Sequence, residues 1–256
     1  MEKASVIGLP LAIGSIIACL LLEGGEMRNV LGGPAAMIVI GGAFGATFMH
    51  MPWEISMGAL KEAKQVFLPQ HVDYEGLIQQ ITNLAGTARK DGLLALEKER
   101  GNIEDHLLKE AVKYAVDGLD PTLVSQILEA RIDHKMHLKG LYSKFWTQMG
   151  AYAPTIAIVG AVLGLIIVMQ NLDNPEMIGP GIAVAFIATV YGITSANVVF
   201  LPMGGKLGVL NEEHALYYEM IKVGVRDIQM GTSPSIISSR LMAMLDEDPK
   251  EDEEAA

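Results

Sequence analysis

The sequence predicts an all-α, polytopic membrane protein with four transmembrane helices and a helical cytoplasmic module, in which a very long third transmembrane helix extends into the cytoplasm. Three observations predict this. Half of the 256 residues are hydrophobic and 19% are charged, with a mean hydropathy of +0.32, which is too apolar for an ordinary soluble domain. Four runs free of Asp, Glu, Lys and Arg, Val6–Leu22, Val30–Trp53, Gly150–Gln170 and Pro180–Met203, have the roughly 20 residues that a helix needs to cross a hydrocarbon core. Finally, all of the nineteen Lys and Arg except Arg28 lie before the first run, between Glu54 and Met149, or after Met203. The positive-inside rule then makes both termini and the large middle segment cytoplasmic.

The elements follow in order. The first two runs fill residues 1–53, joined by a short outer loop with Glu23 and Glu26. Cys19 is the only cysteine, so no internal disulfide can form, and it reads as a small apolar packing residue. Residues 54–149 form the cytoplasmic module, helical throughout. In "HVDYEGLIQQITNLAGTARKDG", Leu77, Ile78, Ile81 and Leu84 recur at helical spacing, with Asp73 as N-cap and Gly92 as a stop. "LLALEKERGNIEDHLLKEAVKYAVDG" continues with Leu107, Ala111, Tyr114 and Ala115 on one face, ending at Gly118. Asp120 caps the next helix and Pro121 takes its first position. Nothing breaks that pattern before Gln170, which gives a helix about 75 Å long. The third and fourth spans occupy 150–203. Residues 204–256 hold an amphipathic helix around Glu212–Gln229, a "GTSPS" turn, a short helix ending near Leu245 and the acidic tail "DEDPKEDEEAA", a solvated end that contributes much of the net charge of −11. That balance argues against nucleic acid as a partner.

The spans are notable for the chemistry they lack. Apart from His50, at the cytoplasmic end of the second, their only ionisable side chains are Cys19 and Tyr191. A self-contained pump or carrier places a charged or titratable group inside the membrane to hold its ion. The chain instead offers ladders of small residues: Gly150, Ala153, Ala157, Gly160, Ala161 and Gly164 in span three, and Gly181, Ala185, Ala188, Gly192 and Ala196 in span four. Such ladders serve close helix packing, either among the four helices of one subunit or along a core shared with other chains. Pro154 and Pro202 each remove a backbone hydrogen bond near the cytoplasmic end of a span. His134 and His137 read as solvated helix residues, since nothing completes a metal site around them. No phosphate loop, zinc-protease helix or nucleophile elbow occurs, so the chain is not read as an enzyme and needs no cofactor.

The stretches "GGPAAMIVIGGAFGATF", "TARKDGLLALE", "GAYAPTIAIVGAVLGL" and "AFIATVYGITSANVVFLPMGGKL", together with the four-span order, resemble the A subunit of the bacterial flagellar stator, the MotA/PomA type, within the MotA/TolQ/ExbB proton channel family. The resemblance implies a subunit of the inner membrane in which five A chains surround two copies of a B subunit. The B subunit carries the proton-binding aspartate on one transmembrane helix and a peptidoglycan-binding domain outside. On this reading the small-residue ladder is the socket around the partner's helix. The family's rotor-contact residues fall on Arg89 and Glu97, which would meet a protein of the rotor's switch complex. Its ion-path and coupling positions fall on Pro154, Ala161, Thr189 and Pro202. The sodium-type relatives carry a threonine where this chain has Ala161, although Thr189 is kept. The loss of one oxygen ligand is worth on the order of 1 to 3 kcal/mol, so the transported ion is expected to be the proton rather than sodium. The alternatives are an envelope energiser of the TolQ/ExbB kind, whose three spans fit less well, a solute transporter and a membrane scaffold.

Overall fold

The structure, a computed structural model, describes residues 2–245; the acidic tail from Asp246 lies outside the described residues. In chain order its helices are α1 (Lys3–Leu22), α2 (Met27–Val30), α3 (Gly33–Ala36), α4 (Gly42–His50), α5 (Trp53–Glu62), α6 (Tyr74–Asp91), α7 (Leu96–Glu99), α8 (His106–Val116), α9 (Pro121–Gln170), α10 (Pro175–Thr194), α11 (Leu201–Gln229) and α12 (Pro234–Ala243). Two π-helical turns, Met37–Gly41 and Ser195–Phe200, join α3 to α4 and α10 to α11. Four helical stretches are long and apolar enough to cross a membrane: Lys3–Leu22, Gly33–His50, Pro121–Gln170 and Ile178–Gln229. Of the described residues, those up to Gln70 together with Leu138–Leu210 form one compact unit, and His71–His137 together with those from Asn211 on form the other.

The first unit is built on α4, α5, α9 and α10. Its core gathers Val39, Ala43, Ala59, Phe145, Trp146, Met149 and Phe200. Phe145 and Trp146 meet edge to face at 5.5 Å, and the Trp146 indole N–H donates to the Ala59 carbonyl at 3.2 Å, which satisfies the one polar atom of a buried ring. Residues 54–70 belong to the same compact unit, with Gly58 against Tyr142 and Ala59 against Trp146 of α9. None of the residues of α1 is buried.

The second span departs from the single run Val30–Trp53. It ends at His50, where Met51 and Pro52 turn extended, and it starts with non-helical backbone at Leu31 and Gly32. Broken backbone among apolar spans needs partners for its freed groups. The Tyr191 hydroxyl supplies them, donating to the Val30 carbonyl at 2.8 Å and accepting from the Gly32 N–H at 3.2 Å. The polar tip of Tyr191 is thus structural.

The second unit packs α6, α8 and α12 with the first part of α9 and the last part of α11. Ile81, Leu108, Val112, Leu128, Ile221, Ile237 and Leu241 are its fully buried centre, each contributing about 1.5 to 3 kcal/mol. The expected caps hold. Asp73 accepts from Gly76 N–H at 2.9 Å, and Asp120 accepts from Thr122 N–H at 2.8 Å. These bonds stabilise the Asp120 carboxylate and hold its pKa below the ordinary value. Gly118, at φ 75°, ends α8 with its own N–H on Ala115 and the Leu119 N–H on Tyr114, the double bond pattern that a left-handed residue allows.

One expectation fails here and a second is extended. The stretch from Leu93 to Val116 is not one helix: Gly92 sits at φ 85° and ψ 163°, and the chain then passes through short turns until Asp105 caps α8 by accepting from Leu108 N–H at 2.8 Å. The buried stripe of α8 is Leu108, Ala111, Val112 and Ala115. The helix expected at Glu212–Gln229 is the continuation of α11 from Leu201. Among the described residues α11 and α12 are joined by a left-handed Gly231 and fastened by Arg240, whose Nη1 lies 3.1 Å from both carboxylate oxygens of the buried Asp227.

Two outcomes test this packing. At Gly164 a Cβ would stand 3.1 Å from the Ala185 backbone nitrogen and 3.2 Å from the Gly181 carbonyl oxygen, so Gly164→Ile is expected to cost about 1 to 3 kcal/mol by overpacking. Gly205→Ala, with open space around it, should hold or raise the melting temperature of the detergent-solubilised protein, since alanine favours the helix. Burial first, then the Asp105, Tyr218 and Asp73 charges, pushes the Tyr217 hydroxyl up to about 12. The neutral form is favoured in the fold, so its contribution is complete below the ordinary value of 10.0 and fades as pH rises toward 12. Tyr217→Phe should therefore flatten the loss of stability across that window in chemical denaturation at a series of pH values.

Candidate functional site

The two ladders of small residues face each other. Antiparallel α9 and α10 meet with Ala157 opposite Gly192, Gly160 opposite Ala188, and Gly164 opposite Ala185 and Gly181. At Gly160 a Cβ would lie 3.0 Å from that of Ala188, and at Gly192 it would lie 2.9 Å from the Ala153 carbonyl. Ala153, Ala157, Ala185, Ala188 and Ala196 are buried. The seam is closed within the subunit, so Ala153, Ala157, Gly160 and Gly164 serve packing inside one chain, and of the ladder in α9 Ala161 lies at its edge.

The ion-path positions lie beside that seam. Pro154 and Ala161, two helical turns apart, share one stripe of α9, and Thr189 flanks the facing stripe of α10; all three are half-buried. With 3.6 residues per turn on antiparallel helices, this puts them along the same edge of the seam. Next to that edge Ile158, Leu165, Phe186 and Ile193 are exposed, Phe186 at 70%. The Thr189 hydroxyl donates to the Ala185 carbonyl at 3.2 Å. Its proton is used, and its oxygen can still accept from water. Pro154 has no N–H for the Gly150 carbonyl, and Gly150 lies directly against Leu201, where a Cβ would come within 2.7 Å of the leucine side chain.

Pro202 is in a different place. It follows the π turn Ser195–Phe200, in which the Leu201 N–H reaches back five residues to the Ala196 carbonyl. The wide turn accommodates a proline that cannot supply the regular bond. Pro202 lines a cleft against α1 with Val199 and Lys206, and none of Pro154, Ala161 and Thr189 lines it. Neither the π turn nor the hydrogen bond of the Asn197 amide to the Ile193 carbonyl, 2.9 Å, is legible in the sequence beyond the proline itself.

In the second unit, Arg89 stands exposed in the last turn of α6, where a cation suits the helix terminus. It makes no ion pair among the described residues, nor does Lys90. Gly92 then takes a conformation open to glycine alone, and the fully buried Leu96 anchors α7 so that Glu97 and Lys98 point outward. Glu97 is already engaged: both of its oxygens accept from Arg100, at 2.7 and 2.8 Å. Leu94, 76% exposed, lies between the two positions in sequence. Spacing alone could have suggested Arg100, three residues after Glu97; nothing marked Leu94. His134 and His137 are exposed, and no group of three or more His, Cys, Asp or Glu among the described residues could hold a metal.

Comparisons with known proteins cover the whole chain. The model of the MotA/TolQ/ExbB proton channel family matches residues 99–220, and that of the Motility protein A N-terminal region matches residues 6–92. Motility protein A of Treponema phagedenis is 31% identical over 255 residues, covering 100% of this chain and 98% of that protein. Chemotaxis protein PomA of Vibrio alginolyticus is 31% identical, with 96% of each chain covered. Among solved structures, that of C. jejuni MotAB superposes with a TM-score of 0.92 at 32% identity over 98% of each chain. The flagellar MotAB stator complex from Bacillus subtilis gives 0.86 at 28%, over 95% of this chain and 96% of that one.

Swapping the pair, Glu97→Arg with Arg100→Glu, keeps an exposed ion pair whose worth is about 0 to 1 kcal/mol. Thermal stability should stay within that range. If position 97 meets a partner, swimming in soft agar should fall sharply; normal swimming would make the pair a surface feature without a contact role.

Proposed function

The chain belongs to the MotA/TolQ/ExbB proton channel family, and we propose that it is the A subunit of a flagellar stator that, with a B subunit, conducts protons and turns their flow into torque. The observation that carries this is the full-length match to stator A chains together with a membrane region that holds no carboxylate. The four spanning runs contain no Asp or Glu between Val6 and Leu22, Gly33 and His50, Gly150 and Gln170, or Ile178 and Met203. An ion crossing there needs a group from another chain. The B subunit's transmembrane aspartate supplies it, lying along the edge formed by Pro154, Ala161 and Thr189 and by the exposed apolar side chains beside them.

Five A chains around two B helices would give each B helix an A edge to face. Both termini and the charged middle segment lie on the cytoplasmic side of the inner membrane, supported by the clustering of Lys and Arg outside the two short connections. Arg89 meets the rotor's switch protein as a free cation. Glu97 meets it only by exchanging its bond to Arg100 for one to a rotor cation. Pro154 and Pro202 act as points of flexure, one beside the seam and one at the π turn. The ion is the proton: the Ala161 side chain has no oxygen and Thr189 brings a single hydroxyl, a poor set of side-chain ligands for a desolvated sodium ion, which takes several oxygens.

Reconstituted in liposomes, the chain alone should pass no protons, and its complex with the B subunit should. Cells should swim without sodium and stop with a proton uncoupler. Robust proton uptake by the chain alone would contradict the division of labour, and motility that requires sodium but survives the uncoupler would overturn the ion assignment.

A further inference from the structure

The cleft that holds Pro202 has a chemistry of its own. It measures about 380 Å³ and is walled by Gly8 and Leu9 of α1, by Phe67, and by Val199 and Pro202, with Lys206 as its only charged lining residue. Lys206 sits 3.5 Å from Glu2, and both side chains are 28% exposed. An ammonium carries three donors, so pairing with one carboxylate leaves two for other oxygens. The Glu2 N–H is tied to the Phe67 carbonyl at 3.0 Å, which holds the start of α1 beside the cleft. An apolar slot in a membrane-spanning unit, with a cation at the end where the chain's Lys and Arg cluster, matches an acyl chain below a phosphate.

We infer that this cleft is a binding site for one anionic phospholipid, its acyl chain lying between α1 and the π turn and its phosphate on Lys206. The lipid then packs against Pro202, which has no N–H to donate, and the wide turn that precedes it. It fills the space that α1, with no buried residue of its own, leaves beside the span.

The test uses the protein purified as it assembles in the membrane. Native mass spectrometry counts lipids retained after titration with phosphatidylglycerol or phosphatidylcholine in mixed micelles. One basic side chain near a headgroup should favour the anionic lipid about fivefold. Lys206→Gln should abolish that preference while still admitting acyl chains. Gly8→Leu, which adds a side chain where nothing lies within 4 Å of the new Cβ, should lose both lipids. If Gly8→Leu fails to assemble, the selectivity of Lys206→Gln decides alone. Equal retention of the two lipids by the unaltered protein, or phosphatidylglycerol counts unchanged in the variants, overturns the site. So does a cross-link from Ala12→Cys, made in a Cys19→Ser background, to a second copy of the chain, since a neighbouring helix would then occupy the cleft.

Discussion

The contact on which the first unit depends is the approach of two helix backbones, α9 and α10, through residues with almost no side chain. Gly160, Gly164, Gly181 and Gly192 each have the facing helix where a Cβ would stand. In a bilayer no hydrophobic gain drives helices together, so the close fit itself must hold them. The residues beside the seam inherit their position from this contact. Pro154 and Ala161 flank the seam on one helix and Thr189 on the other, half-buried because the seam is dry and tight beside them. The large apolar side chains of the same spans are turned outward, Ile158 at 60% and Phe186 at 70% exposed. A subunit made this way is closed on the inside and uncovered on the outside.

The same economy governs charge. The spans pack their small residues against each other and carry no carboxylate, so a titrating group for a crossing ion would have to come from a second chain. Polar side chains inside the spans are engaged with their own backbone: Thr189 with Ala185, Thr47 with Ala43 at 2.7 Å, and Tyr191 across the break at Leu31 and Gly32. A hydroxyl whose proton is already given away keeps lone pairs that can accept from water.

Much of this was legible in the sequence, and the failures share a cause. Runs without charge fixed the spans, and Asp73, Asp120, Pro121 and Gly118 announced helix ends because caps act through one or two local hydrogen bonds. The break before α3 was not legible, since its freed groups are satisfied by Tyr191, more than 150 residues away. The turns between Gly92 and Asp105 were hidden by good helix formers that the buried Leu96 and Ile103 pin into another shape. The ladder was seen, but periodicity cannot say which neighbour a small face meets. Of the candidate site, the edge formed by Pro154, Ala161 and Thr189 holds together, Pro202 stands apart at the π turn, and Glu97 came with a partner, Arg100, that spacing only hinted at.

The seam is internal, and the edge beside it is the surface proposed to face the B subunit. Single cysteines placed at Ala157 and at Ala161, in a Cys19→Ser background, distinguish seam from edge when each is paired with a cysteine scanned along the B subunit's transmembrane helix and the membranes are oxidised. A disulfide to the B helix is expected from position 161 and none from position 157, which faces Gly192. Cross-linking from 157 with silence at 161 would mean that the ladder opens toward the partner, and would contradict this arrangement.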